Sequence, residues 1–172
     1  VIKYLPGDVV SSPGFFMSNQ QVQLRKLLPS DLHFLLQIET DPENLPFSGS
    51  EITPTVAELE AYLNSEHDIV MHDQLRLVIE FLGKAVGFVD LFDVDFSHLK
   101  ASVGIIISKE FRRQGLANDA LSGLQNFAKQ QKIQVLWAKC HSWNTPSVNL
   151  FKKSGFQIVD EQDECITLKL ML

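Results

Sequence analysis

Ile105-Ile106-Ile107-Ser108-Lys109-Glu110-Phe111-Arg112-Arg113-Gln114-Gly115-Leu116-Ala117 passes from a β-branched run, through a charged turn, into a helical pattern. The isoleucines read as a strand buried on both faces. Ala117, Ala120, Leu121, Leu124, Phe127 and Ala128 then recur three and four residues apart, as in a helix with one apolar face. Gly115 and the small Ala117 let a ligand approach the backbone closely. The first N–H groups of the helix have no internal acceptor, and the helix dipole adds positive potential. Such a terminus binds phosphate, and Arg112 and Arg113 put charge beside it. An ordinary tight turn also looks like this, so the stretch alone leaves both readings open. It is neither a G-x-G-x-x-G dinucleotide fingerprint nor a P-loop, whose Lys-Ser or Lys-Thr after glycine is missing.

Working outwards, residues 22–27 alternate and read as a strand. Pro29-Ser30-Asp31 opens a helix carrying Leu32, Leu35 and Leu36. Residues 41–54 hold three prolines and a glycine and read as a loop. Thr55 with Glu58 three residues on is a capping box for a second helix bearing Leu59 and Leu63. Residues 75–82 and 85–92 form a hairpin around Gly83-Lys84, and 93–100 is a polar connection to a third strand at 101–108. Downstream come a strand at 135–141, a helix at 145–153 stopped by Gly155, and two closing strands at 156–159 and 165–171. Residues 1–16, with two prolines and two glycines, read as an N-terminal extension or an ordinary arm, and 17–172 as one domain. The fold class is α/β: a mixed, twisted sheet of six or seven strands flanked by helices.

A second stretch completes the case. Asn144-Thr145-Pro146-Ser147-Val148-Asn149-Leu150-Phe151-Lys152-Lys153-Ser154-Gly155-Phe156 follows a strand and ends in Gly-Phe. Together the two stretches resemble the GNAT family of N-acetyltransferases. Arg112, Gly115 and Ala117 meet its R/Q-x-x-G-x-G/A signature. Asn144, Ser147, Leu150, Phe151, Lys153, Gly155 and Phe156 meet its later hallmark. The hairpin at 87–91 and the connection at 93–96 look like the polyamine- and ribosomal-protein-acetylating branches.

The resemblance implies the acyl-CoA N-acyltransferase fold, with acetyl-coenzyme A as cosubstrate, no metal, and direct transfer to an amine in a ternary complex. It implies that backbone amides of Arg112, Arg113, Gln114, Gly115, Leu116 and Ala117 hold the pyrophosphate. Ile105 and Ile107 would pair with the pantetheine, with Ile105 N–H as the oxyanion donor. Asn144 and Phe151 would contact the cofactor from the far side, although Asn144 also reads as a helix N-terminal turn residue. The family often places a glutamate where this chain has Ser102, and a tyrosine acid where it has Phe151. An amine must be neutral to attack, so a base is needed. Asp90 is the substitute on the neighbouring strand, its alternative being a solvated carboxylate, and Ser102 orders a water.

The composition sets outer limits. The chain has 172 residues, 45% hydrophobic and 21% charged, with a net charge of −6. That suits a soluble domain with its own core and argues against nucleic-acid binding. Two cysteines are too few for a disulfide framework, and no apolar run reaches membrane-spanning length. No charged-then-apolar leader opens the stretch, and the expected compartment is the cytoplasm. His67, Asp68, His72 and Asp73 lack the spacing of a helical metal site. The expected partner is a small-molecule amine, such as a polyamine-like one, or a peptide amine, with no nucleic acid and no membrane. The oligomeric state, homodimer included, stays open. Two rival readings are a protein N-terminal or lysine acetyltransferase and a non-catalytic acyl-CoA-binding module. Acceptor choice is expected to lie in residues 39–51.

Overall fold

The computed structural model describes residues 16–19, 22–44, 46, 53–65 and 69–172. In chain order these form β1 (Phe16–Asn19), β2 (Val22–Lys26), α1 (Leu32–Thr40), α2 (Val56–Leu63), α3 (Ile69–His72), β3 (Leu75–Phe81), β4 (Lys84–Asp95), β5 (Lys100–Ile107), α4 (Leu116–Gln130), β6 (Val135–His141), α5 (Thr145–Lys153), β7 (Gln157–Gln162) and β8 (Cys165–Met171). Short 3-10 turns lie at Pro29–Asp31 and Lys109–Phe111. Residues 1–15, most of the 45–52 loop, and His67 and Asp68 lie outside the described residues.

The strands form one sheet in the order β1-β2-β3-β4-β5-β6-β8-β7. Seven strands run from Val22 onwards, and β1 adds an eighth at the edge. Every pairing is antiparallel except β5 with β6. The β4 strand runs to Asp95, further than its hydrophobic alternation predicts, because a register shift between Phe92 and Asp95 carries it past the last apolar pair. The turn before it centres on Leu82 and Gly83, both at positive φ, as the twist of a two-residue hairpin requires.

Local signals hold where they were clearest. Thr55 N–H donates to Glu58 at 2.7 Å, and Glu58 N–H returns to the Thr55 hydroxyl at 3.3 Å, closing the capping box on α2. Gly155 follows α5 at φ 94°, where a side chain would be strained. The apolar face of α4 buries Ala120, Leu121, Leu124, Phe127 and Ala128 against one side of the sheet. On the other side, α1 and α2 bury Leu35, Ile38, Leu59 and Leu63 against Val78 and Phe88.

Side chains alternate between these two faces. Cross-strand partners share a face, so Arg76 of β3, Asp90 of β4 and Gly104 of β5 fall in one row on the α1/α2 side. Polar anchors fix where α1 begins. Asp31, 5% exposed, receives two hydrogen bonds from Arg25 (2.7 and 2.8 Å) and the Leu28 N–H at 2.8 Å.

Gly87 fixes how closely β4 and β5 approach. A Cβ built there would lie 2.2 Å from the Ile106 carbonyl oxygen, so any side chain forces the two strands apart. Gly87→Ala is expected to lower stability by about 1–3 kcal/mol, in the range of overpacked interiors, read as a shift of the urea midpoint at unchanged slope.

Candidate active site

The parallel ladder between β5 and β6 is short. Lys100 pairs with Val135, Ala101 with Leu136 and Ser102 with Trp137, and there it ends. Beyond that point β5 stays on β4 as far as Ile107, and β6 stays on β8 as far as His141. The two strands part and leave a groove. The Leu99 carbonyl accepts the Val135 N–H at 3.1 Å, so backbone groups at odd positions of β5 point towards β6. Ser108 N–H donates the other way, to Val86 at 2.9 Å, in keeping with that alternation. Ile105 and Ile107 thus direct their N–H groups into the groove where no strand answers them. Ile105 and Ile106 are only half-buried and Ile107 is buried, so the expected burial on both faces holds for the last residue alone.

The turn closes the end of that groove. Arg113 and Gly115 both lie at positive φ, 62° and 84°. Alternating the backbone in this way turns successive N–H groups towards one concavity, which suits an anion. The amides of Arg113, Gln114, Gly115, Leu116 and Ala117 find no acceptor among the described residues. The first bond of α4 is Asn118 N–H to Gly115 at 3.0 Å. A Cβ on Gly115 would meet nothing within 4 Å, so the glycine serves the backbone angle and leaves space over the turn. The Leu116 side chain, 5% exposed, packs into the core and fixes the start of α4, leaving its N–H facing outwards.

Arg112 behaves differently from its neighbours. Its amide donates to Lys109 at 3.3 Å, and its guanidinium reaches the Ile107 carbonyl (2.9 Å) and Asn44 Oδ1 (2.9 Å). The Gln114 side chain folds back onto the Glu110 carbonyl at 3.1 Å. On the far lip, Asn144 Oδ1 accepts the Ser147 N–H at 3.3 Å and caps α5, which is the turn-residue role. Phe151 is 3% exposed and meets Phe156 edge to face, ring centres 5.1 Å apart. Its ring belongs to the core under α5 and presents no surface to the groove.

A cavity of about 530 Å³ opens on the α1/α2 face, lined among others by Tyr62, Asp73, Arg76, Asp90 and Asp93. Asp90, the expected base, is gripped on both oxygens by Arg76 at 2.8 and 3.1 Å. Arg76 also reaches Glu39 at 2.6 Å and lies over the Phe88 ring, 5.5 Å from its centre. Burial opposes the charge on Arg76, but Asp90 and Glu39 outweigh it and hold the guanidinium above its ordinary pKa. Asp90 is therefore a structural counter-ion. Burial likewise pushes the Tyr62 phenol up.

Ser102 sits at the point of divergence and donates to Asp93 Oδ2 over a long 3.4 Å. Asp93 takes a left-handed backbone, φ 50°, at the irregular end of β4, and no cation pairs with it among the described residues. Asp95, two residues on, is instead held well below the usual carboxylate range by the Ser97 hydroxyl and by His98, through its backbone and its ring. Sequence reasoning missed Arg76, Glu39 and Asp93 as site residues. The even alternation of β3 could have placed Arg76 beside Asp90, but only with the register in hand. Cys140 and Cys165 are free thiols, and burial raises the pKa of the first. No group of three or more potential metal ligands is found among the described residues.

Comparison with known proteins shows the family. The family model described as acetyltransferase (GNAT) domain matches residues 21–157. The spermidine N(1)-acetyltransferase of Escherichia coli K12 is 28% identical over 147 residues, 84% of this chain and 77% of that protein. The structure of spermidine N-acetyltransferase from Vibrio cholerae with CoA and spermine superposes with a TM-score of 0.78 at 20% identity, covering 89% of this chain and 96% of that one. RimL, a ribosomal L7/L12 α-N-protein acetyltransferase solved with coenzyme A, gives 0.77 at 14% identity, covering 92% and 98%. At these identities the two structures bear on the fold.

Gly115→Val tests the turn. The substitution puts a branched side chain over the free amides and into a φ of 84°, a strain of about 1–3 kcal/mol. Coenzyme A affinity by calorimetry is expected to fall at least tenfold, roughly the loss of one charge-assisted hydrogen bond, with the fold retained by circular dichroism. Unchanged affinity in a folded variant places the phosphates elsewhere.

Proposed function

We propose that this chain, which belongs to the acetyltransferase (GNAT) family and so is an acyltransferase using acetyl-coenzyme A, acetylates a primary amine of a polyamine-like small molecule. The observation that carries the acceptor reading is the sign of the cavity. Three carboxylates, Asp73, Asp90 and Asp93, line it against one guanidinium, Arg76, whose charge Asp90 and Glu39 already balance. A polycationic amine gains there by charge-assisted hydrogen bonding and by steering over the whole acidic surface. The likeness to spermidine acetyltransferases supports the same class.

The residues divide the work as follows. The amides from Arg113 to Ala117 hold the phosphates, and the β5 N–H groups at Ile105 and Ile107 line up the chain that follows. Acetyl-coenzyme A supplies an acetyl thioester, whose carbonyl carbon takes the amine lone pair as the carbon–sulfur bond breaks. Ile105 N–H faces the oxygen on which negative charge gathers, an interaction strongest at the transition state. An alkylamine of reference pKa near 10.4 arrives protonated. Asp93 is the base in this reading, with Ser102 holding the water between it and the ammonium. Phe151 has no proton to give, so sulfur departs as a thiolate of reference pKa ~8.5.

The test is a panel of diamines, triamines, monoamines and peptides, with the acetylated product identified by mass. Di- and triamines are expected to lead in kcat/KM. Preference for peptides would favour a protein acceptor, and tight coenzyme A binding with no product from any amine would favour a binding module. Asp93→Asn is expected to lower kcat by ~10²-fold. Asp90→Asn should act mainly through stability, because it leaves a half-buried Arg76 with Glu39 as its one remaining carboxylate partner. The opposite ranking returns the base to Asp90.

A further inference from the structure

Arg112 stands where the family signature has its leading Arg or Gln, beside the phosphate-binding turn, yet its guanidinium faces away from the free amides. Its Nε donates to the carbonyl of Ile107, the last residue of β5, at 2.9 Å. Its Nη2 donates to Asn44 Oδ1, also at 2.9 Å. Asn44 is 3% exposed, and its own amide group donates back to the Ile38 carbonyl at 3.0 Å. A backbone bond from Asn44 to Asp41 at 2.9 Å and an ion pair between Glu43 and Lys109 close the same loop. Ile38 is next to Glu39, and Glu39 grips Arg76, which grips Asp90 on the cavity wall.

Hydrogen bonds, joined through the backbone from Ile38 to Glu39, thus run from the phosphate side of the groove to the acceptor side. We propose that Arg112 is a positioning residue: its fork bolts the 41–44 loop and the end of α1 to the turn, and so sets the acceptor wall rather than binding phosphate. This rests on reading the cavity as the acceptor site. A forked, planar donor is required because two acceptors in different directions are met at once. Lysine carries the same charge as a single point and cannot span both.

Arg112→Lys therefore separates charge from geometry. The expected result is a rise of about tenfold or more in acceptor KM, with coenzyme A affinity by calorimetry within about threefold of wild type. Asn44→Ser should reproduce it, and the double variant should be no worse than the poorer single one, as for two members of one interaction. Hydrogen exchange gives a readout without turnover. The Asn44 amide should lose protection in Arg112→Lys while the interior of α4 does not. An Arg112→Lys enzyme with wild-type KM and wild-type Asn44 protection overturns the proposal. So does a coenzyme A affinity that falls in Arg112→Ala and recovers in Arg112→Lys, which would make the side chain a phosphate ligand. Additive losses in the double variant overturn it too. If wild type acetylates no amine while the exchange result stands, the functional reading fails and the bolt remains.

Discussion

The parting of β5 from β6 is the constraint on which the rest depends. Each strand belongs to a half-sheet that pairs along its length, β5 with β4 and β6 with β8. Each half follows its own right-handed twist. Only three residue pairs join the halves before the twists separate them. A strand edge left unpaired inside a protein is unfavourable unless water or a ligand satisfies it. Here the edge opens beside a turn whose amides are also free, so one groove offers backbone donors along its wall and at its end.

The opposite side of the sheet shows how acidic residues close in sequence take different tasks. Asp90 sits in the regular part of β4, across from Arg76, and balances a guanidinium that the core has partly desolvated. Asp95 turns onto its own loop and is held ionised by Ser97 and His98. Asp93 lies between them where the ladder slips, and its left-handed backbone turns it towards Ser102. What separates the three is strand register, since a slip of one residue exchanges the faces of a strand.

Arg112 follows the same logic. In the sequence it reads as a positive charge beside a phosphate turn. In the structure its partners are a strand-end carbonyl, a buried asparagine from a loop 68 residues earlier and, at 3.8 Å, the carboxylate of Glu43 beside it. The turn before α4 and the Arg76–Asp90 cavity wall are thereby tied to the same loop and helix, so the loop after α1 is held from the turn as well as by its own packing.

Features set by neighbours a few positions apart were legible without coordinates. The capping box at Thr55, the apolar stripe of α4, the glycines at 115 and 155 and the order of strands and helices all depend on residue type at short spacing. With the two motif stretches, these determined the fold class and the place of the turn that opens α4. The pairing of Arg76 with Asp90 spans 14 residues, that with Glu39 spans 37, and that of Arg112 with Asn44 spans 68. No local periodicity encodes such partners, because they are chosen by register and by how α1 lies across the sheet. The burial of Phe151 was decided in the same way, by the packing of α5, whereas the Asn144 cap on Ser147 is local. The sequence alone determined the scaffold and where its turn into α4 lies; tertiary structure decided which carboxylate is paired and which is free, because a side chain's partner is fixed by the strand or loop packed against it.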